Sequence, residues 1–413
     1  MKNRKEMRVD TTTDRKKKKG HGLRRFLTTA AVVVTGFAML TFWVDSDDGT
    51  QAEAATVIDN DAVKAEIGHY DSCYILNQMD TEMLDNFMAF YDAAANFKDE
   101  VVFPHPISDE NEYTTLLLAY YYECPESFQL DADGIDPFQY NSTPGAIAGC
   151  DLTYAMDRDT YQSNLNQCRG IADTLKKQTE GMSDYDKELY VYDYLTDTIE
   201  YDDTTAYCGL AYGALIEGRA KCSGISMAFK YICDEMDMPC VVLFSLEDDV
   251  ATGHAWNVVQ IDGEWHDVDV TADIGTGAGS NDGYRYYGAF NVPRTWITDA
   301  GNPVSSYYTK YFSTPESTSY DEDYHVLNGE FAAAGSDYAT QYRDGITSAF
   351  ESGDTVVYLQ FESEDDYTSF LEQESDIRED WFYNYSSDDV QGLGGAVYRQ
   401  DTYRTVIYVA EFS

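Results

Sequence analysis

The chain has 413 residues, with 28 lysines and arginines against 74 aspartates and glutamates, and a formal net charge of −46 at pH 7. That excludes binding to duplex DNA or to an anionic membrane through bulk charge, because either needs a cationic face. With 43% hydrophobic and 14% aromatic residues, it is too apolar for a disordered acidic tail and can bury one large core or two smaller ones.

The charge is uneven along the chain. Residues 1–25 hold 11 of the 28 basic residues and three acids, a net of +8, which leaves −54 for the remainder. The uncharged run from Phe26 to Val44 follows, preceded by Arg24-Arg25 and the Lys16–Lys19 cluster. As a helix it would span about 28 Å, enough for a bilayer core. A polar stretch then leads to Ala52-Glu53-Ala54, an A-x-A cleavage pattern. The segment 1–55 is therefore expected to be a signal peptide cleaved near Ala54 or Ala55, or an uncleaved anchor, with the rest of the chain secreted or held at the cell surface.

From about Thr56 to Asp203 the periodicity is helical. Met83, Leu84, Phe87, Tyr91 and Ala94 form one apolar stripe, and Tyr161, Leu165, Cys168, Ala172 and Leu175 a second. Ser183 with Asp186 resembles a capping box ahead of a third, Leu189, Tyr192, Leu195 and Ile199. The acidic run Asp131–Asp136 lacks the spacing and final glutamate of a calcium loop and is expected to be a solvated turn.

Residues 222–237 place Ile225, Phe229, Ile232 and Met236 on one helical face, with Cys222 at the amino-terminal end. There the positive end of the helix dipole favours a thiolate. Gly218 and Gly224 flank it and allow close backbone approach. Two alternating strands, 254–261 and 264–271, are joined by Asp262-Gly263, a strong hairpin signal. A two-residue turn pairs Ile261 with Glu264 and Trp256 with Asp269. His254 then shares a face with Asp269 on a diagonal of about 7–8 Å, close enough for the two side chains to meet. Cys222, His254 and Asp269 thus supply a nucleophile, its ion-pair partner and a carboxylate to orient the ring. His266 falls on the opposite face. Asp267 shares the face further down the hairpin, and Asp273 lies beyond the strand end.

Gly218-x-x-x-Cys222-x-Gly224-x-Ser226, His254-Ala-Trp-Asn257 and Asp269-Val-Thr271 resemble, in order and local sequence, the transglutaminase-like superfamily, over roughly residues 185–275. The resemblance implies an α+β, papain-like core in which the nucleophile helix packs on an antiparallel sheet. It implies catalytic residues Cys222, His254 and Asp269, no cofactor and no metal. The substrate would be a peptide or protein, or a cell-surface polymer, and not nucleic acid. The reaction would be hydrolysis or acyl transfer through a thioester, with hydrolysis slightly favoured; the alternative is a catalytically silent surface-binding protein with the same fold. Ile225 and Ala272 stand where the family commonly has an aromatic and a tryptophan. The family's second oxyanion donor has no self-evident counterpart here, Tyr201 and Tyr212 being candidates.

The eight cysteines are irregularly spaced without a C-x-x-C pair. They suit four disulfides or buried thiols equally, and Cys233 reads as a core thiol. The domain expected at 56–301 is followed by a separate unit over 302–413. Its expected order is a strand at His325–Phe331, a helix at Tyr338–Phe350, a strand at Thr355–Phe361, a helix at Tyr367–Gln373, and a hairpin of Ala396–Arg399 with Arg404–Phe412. This βαβαββ succession suggests a small α/β domain, with nothing catalytic in it.

Overall fold

The computed structural model describes residues 58–140, 144–246, 253–274, 284–385 and 390–412. The basic start, the run from Phe26 to Val44 and the Ala52-Glu53-Ala54 site lie outside the described residues. Among the described residues no helix is long and apolar enough to cross a membrane.

The chain begins with α1 (Asn60–Ile67) and α2 (Thr81–Ala95), then β1 (Glu100–Ile107), α3 (Glu110–Glu123), β2 (Leu130–Phe138) and β3 (Ile147–Tyr154). Helices α4 (Arg158–Gln178) and α5 (Asp184–Thr198) follow. Short polar side chains start these helices: Asp80, Asp109 and Asp157 each accept a hydrogen bond from an N–H of the first turn, as does Ser183 from Asp186. Met83, Phe87, Tyr91 and Ala94 are buried along α2, and Leu165, Cys168, Ala172 and Leu175 along α4.

Sequence periodicity misses the sheet in this region. Strands β1, β3 and β2 pair antiparallel in that order, although Pro104, Pro106 and Pro137 interrupt the strand pattern. The acidic run expected to be a solvated turn is instead part of β2. The pairing with β3 shifts register between Leu130 and Ile135, which absorbs the extra residues. Gly134 lies there with Thr153 Oγ1 only 1.5 Å from where a Cβ would stand, so the close approach needs glycine.

After α5 come two short parallel strands, β4 (Glu200–Tyr201) and β5 (Arg219–Ala220), and then α6 (Cys222–Glu235). Strands β6 (Cys240–Ser245), β7 (His254–Ile261) and β8 (Glu264–Val268) form an antiparallel sheet in that order. Helix α6 packs on β6 and β7 with twelve consecutive residues from Cys222 to Cys233 buried. The fold is α+β, with this helix laid on an antiparallel sheet. The hairpin register is the expected one, running from Ile261 opposite Glu264 to Asn257 opposite Val268. Asp262 and Gly263 both have positive φ, 50° and 92°, as a type I′ turn requires.

Three short helices follow: α7 (Arg294–Asp299), α8 (Ser306–Thr309) and α9 (Tyr324–Leu327). Next come β9 (Phe331–Ala332), α10 (Tyr338–Ser352), β10 (Val356–Phe361), α11 (Glu364–Asn384), β11 (Leu393–Gln400) and β12 (Thr405–Phe412). The strand expected at His325–Phe331 is a helical turn and a two-residue strand, because Asp323 caps α9 through the N–H groups of His325 and Val326. The sheet order is β11-β12-β10-β9. Among the described residues, buried apolar side chains form two clusters. The larger includes Tyr307, Tyr308 and Phe312, beyond the boundary expected at 301, and reaches forward to Tyr403. The smaller lies between α10, α11 and the last sheet.

Candidate active site

Cys222 is the first residue of α6, after Lys221, whose side chain cannot cap the helix. The first N–H groups of the helix, which have no intrahelical acceptor, therefore lack a side-chain cap as well and surround the thiol with positive potential. Gly224 is pressed against the preceding loop: a Cβ there would stand 2.3 Å from the Cys208 carbonyl oxygen and 3.0 Å from that of Leu210. No other residue fits, and the close approach fixes where the helix begins. Gly218 takes the left-handed φ of +65° ahead of β5. The Lys221 ammonium is buried, which lowers its pKa; Cys208, Cys222 and Asp203 oppose that shift.

His254 opens β7 opposite Ser245, whose Oγ accepts its backbone N–H at 2.9 Å. Its Nε2 is 2.8 Å from Asp269 Oδ2, and the Cys222 thiol lies close enough to act on the ring. With Nε2 engaged by the carboxylate, Nδ1 is the nitrogen left for the sulfur. Burial alone would lower the ring pKa, but the Asp269 carboxylate, with Cys222, raises it well above the ordinary histidine value. The imidazolium form is thereby favoured. Trp256, fully buried, stacks along the ring at 6.1 Å between centroids and 15° between planes.

Asp269 does not continue β8. Its N–H turns to the Ala289 carbonyl, and its Oδ1 accepts Thr271 N–H at 3.1 Å as the cap of a 3₁₀ turn. The other oxygen is free to face His254. The three sequence-derived residues are thus brought together. The rival residues are engaged elsewhere. Asp267 accepts from Trp256 Nε1 and from Arg294 Nε, each at 2.6 Å. Asp273 accepts from Tyr192 Oη at 2.9 Å and Tyr287 N–H at 2.7 Å. His266 lies buried on the other face of the hairpin, both ring nitrogens without a hydrogen-bond partner in the protein.

Of the two tyrosines considered as oxyanion donors, Tyr201 has its pKa raised by burial first, and then by charges that include Cys222 and Asp269. Tyr212 stacks on Phe128 at 5.4 Å between centroids and meets Tyr207 edge-to-face at 5.2 Å. Two neighbours escaped the sequence reading. Tyr121 donates to the Gly209 carbonyl, on the loop packed against the start of α6. Tyr403, from the last hairpin, donates to Asp269 Oδ2 at 3.2 Å. Neither belongs to a local motif, so no spacing could reveal them. All eight cysteines are buried and unpaired, and Cys233 is the core thiol its helical face implied. Among the described residues no cluster of histidine, cysteine or carboxylate side chains could hold a metal ion.

The model of the transglutaminase-like superfamily matches residues 172–270, a stretch containing Cys222, His254 and Asp269. No curated protein matches. Among solved structures, the chain is similar to a candidate cysteine protease from Cytophaga hutchinsonii, at 17% identity and a TM-score of 0.22, over 34% of this chain and 62% of that one. It is also similar to a TGase, at 16% identity and a TM-score of 0.24, over 57% and 58% of the two chains. A third is the periplasmic domain of TgpA from Pseudomonas aeruginosa, at 14% identity and a TM-score of 0.23, over 32% and 60%. The chain spans about six tenths of the length of these structures.

Proposed function

With residues 172–270 transglutaminase-like, we propose that the protein is an exported cysteine enzyme that acts on peptide or side-chain amide bonds through a thioester. The single observation that supports this most is the His254 ring bonded to Asp269 Oδ2, with the Cys222 thiol near enough to raise the ring pKa further. In the proposed reaction His254 takes the thiol proton, and the Cys222 sulfur attacks the substrate carbonyl carbon. The carbonyl π pair moves to oxygen, where the N–H groups at the start of α6 stabilise the oxyanion. On collapse the C–N bond breaks, His254 protonates the departing amine, and the acyl group remains on sulfur. Water or a second amine then attacks the thioester while His254 accepts its proton, which regenerates the thiol. Water makes the enzyme a peptidase or amidase; an amine makes it a crosslinking transferase.

The acidic surface follows from the charge of −54 beyond residue 25, and it would steer cationic substrates or amine acceptors toward the site. The placement outside the cytoplasm rests on the basic and apolar segment 1–55. A second reading, a cell-surface binding protein that keeps the fold without chemistry, is favoured by one observation: Cys222 is only 2% exposed. One experiment separates the two. The chain is incubated with a glutamine- and lysine-containing peptide library, the acyl-enzyme is trapped by acid quench, and intact mass is measured with and without added primary amine. An adduct absent from Cys222→Ala supports the enzyme, and the product ratio with and without amine divides hydrolase from transferase. If no adduct or turnover forms, or if Cys222→Ala reacts as the wild type does, the binding reading replaces it.

A further inference from the structure

We propose that Tyr403, carried by the tip of the last hairpin, is a positioning residue for Asp269, so that the carboxy-terminal unit completes the candidate active site. The inference rests on the reading of Cys222, His254 and Asp269 given above.

Tyr403 closes the 3₁₀ turn Asp401–Tyr403 between β11 and β12. It is 4% exposed and packs in the larger core, whereas Val406 and Tyr408 of the following strand pack in the smaller one. Its hydroxyl donates to Asp269 Oδ2 at 3.2 Å, the oxygen that also holds His254 Nε2 at 2.8 Å, while Thr271 N–H holds Oδ1 at 3.1 Å. The carboxylate is thus fixed by donors from three separate segments, and rotation about its terminal torsion would break at least one of these bonds.

The hairpin tip is seated by contacts of its own. Gln400 Nε2 donates to the Ala272 carbonyl at 2.8 Å, three residues from Asp269. Gln360 Nε2 of the neighbouring β10 donates to the Gly288 carbonyl at 2.9 Å and to Thr405 Oγ1 of the hairpin at 3.3 Å. Arg404 lies 4.1 Å over the Trp296 ring and donates through Nε to the Phe361 carbonyl at 2.9 Å. The fit is tight at Gly288, where a Cβ would stand 2.2 Å from Gln400 Oε1, 2.8 Å from Thr405 Oγ1 and 2.9 Å from Tyr403 Cβ.

The direction of the bond follows from the surroundings. Burial, with the charges of Asp269, Asp273 and Asp267, raises the Tyr403 phenol well above its ordinary range, so the proton stays on oxygen and the group donates. The titratable groups facing the His254–Asp269 pair are Cys222 from α6, Tyr201 from β4, Tyr192 from α5, and Tyr403 with its neighbouring Asp267 and Asp273. Of these, Tyr403 is a neutral donor directed at Oδ2. Removing it frees the carboxylate to turn and leaves more of its charge for the imidazolium, which raises the ring pKa.

The test uses the full chain with Tyr403→Phe, which deletes the hydroxyl and keeps the ring. Turnover is followed on the peptide library above, and the His254 ring is titrated by ¹⁵N-histidine NMR, which needs no substrate. Expected are a fall in kcat of about 3- to 10-fold, one hydrogen bond's worth of positioning, an unchanged KM, and an alkaline limb and ring titration moved up by about half a pH unit. Gly288→Val, a wedge that lifts the hairpin tip, should give the same changes and add nothing to Tyr403→Phe in the double variant. A hydrogen bond of merely structural value would lower thermal stability while kcat and the titration stayed put, and that result overturns the proposal. If Tyr403→Phe does not fold, Gly288→Val with an unmoved titration overturns it equally. Cys222→Ala run alongside tells the failures apart: wild-type turnover there sinks the site assignment and this proposal with it, whereas an inactive Cys222→Ala beside an unaltered Tyr403→Phe sinks this proposal alone.

Discussion

The two ends of α6 each hold a cysteine in an opposite electrostatic setting. At the start, Cys222 has the open N–H groups of the helix and the raised-pKa ring of His254. Near the end, burial first, then the neighbouring Cys240 thiol, Asp234 and Glu188, push the pKa of Cys233 well up. Beside it Lys230 Nζ holds Asp234 Oδ1 at 3.1 Å and the Cys240 carbonyl at 2.8 Å, all within the interior. One helix therefore carries a thiol beside a charged ring at its start and a thiol held protonated near its end. The difference lies in helix polarity and in partners, not in burial, which the two share.

The largest effect is expected from dismantling the far end. Lys230→Met leaves Asp234 buried without its cation, and should cost about 3–5 kcal/mol in denaturant unfolding. If the two ends are independent, alkylation of Cys222 by iodoacetamide stays at the wild-type rate. A proportionate fall in that rate would show instead that the near end depends on the far one.

The contrast itself is measured by that alkylation. At pH 6, Cys222 is expected to react at least about 10-fold faster than Cys233, read by peptide mass spectrometry; equal rates would erase the distinction. Asp269→Asn removes the charge that raises the His254 pKa. The histidine pair contributes below its folded-state pKa and is lost as pH rises through it, so the alkaline limb of Cys222 reactivity should move down toward the ordinary histidine value. A limb that moves up, or not at all, would mean that the ring is not charged by Asp269.

The smallest effect concerns Glu188, one of the charges near Cys233. Burial raises its pKa to about 8, against a lowering from the Asn291 amide, whose Nδ2 donates to Oε2 at 2.8 Å. An acid with a raised folded-state pKa contributes stability that is complete below its ordinary value of 4.5 and lost as pH climbs toward 8. Glu188→Gln should therefore raise Tm by about 2 °C at pH 8 and leave it unchanged near pH 4.5. Equal shifts at both pH values would rule out titration as the cause.

The sequence made the candidate site legible because its parts are local. The Asp262-Gly263 turn fixes the pairing of β7 and β8, and a cysteine ahead of an apolar stripe marks a helix start. It hid what depends on distant segments. Strands β1 and β2 are interrupted by prolines and charges, and β3 by Asp151, so their pairing, rather than their periodicity, defines them. Tyr403 stands 134 residues beyond Asp269, and no pattern around it differs from an ordinary hairpin tip. Asp269 itself falls on the expected face although β8 ends at Val268, since the chain leaves the strand to bond Ala289 only after the register has aimed the side chain.

The two-residue turn at Asp262-Gly263 has a consequence for how such a sequence can drift over generations. Exposed positions beside it, such as Glu264, contact solvent and tolerate replacement. Its length does not tolerate change in the same way. One inserted or deleted residue would carry Asp267 and Asp269 to the face where His266 now lies, because side chains alternate along a strand. Point substitution is the open route of change along this hairpin, and insertion or deletion at its tip is the closed one.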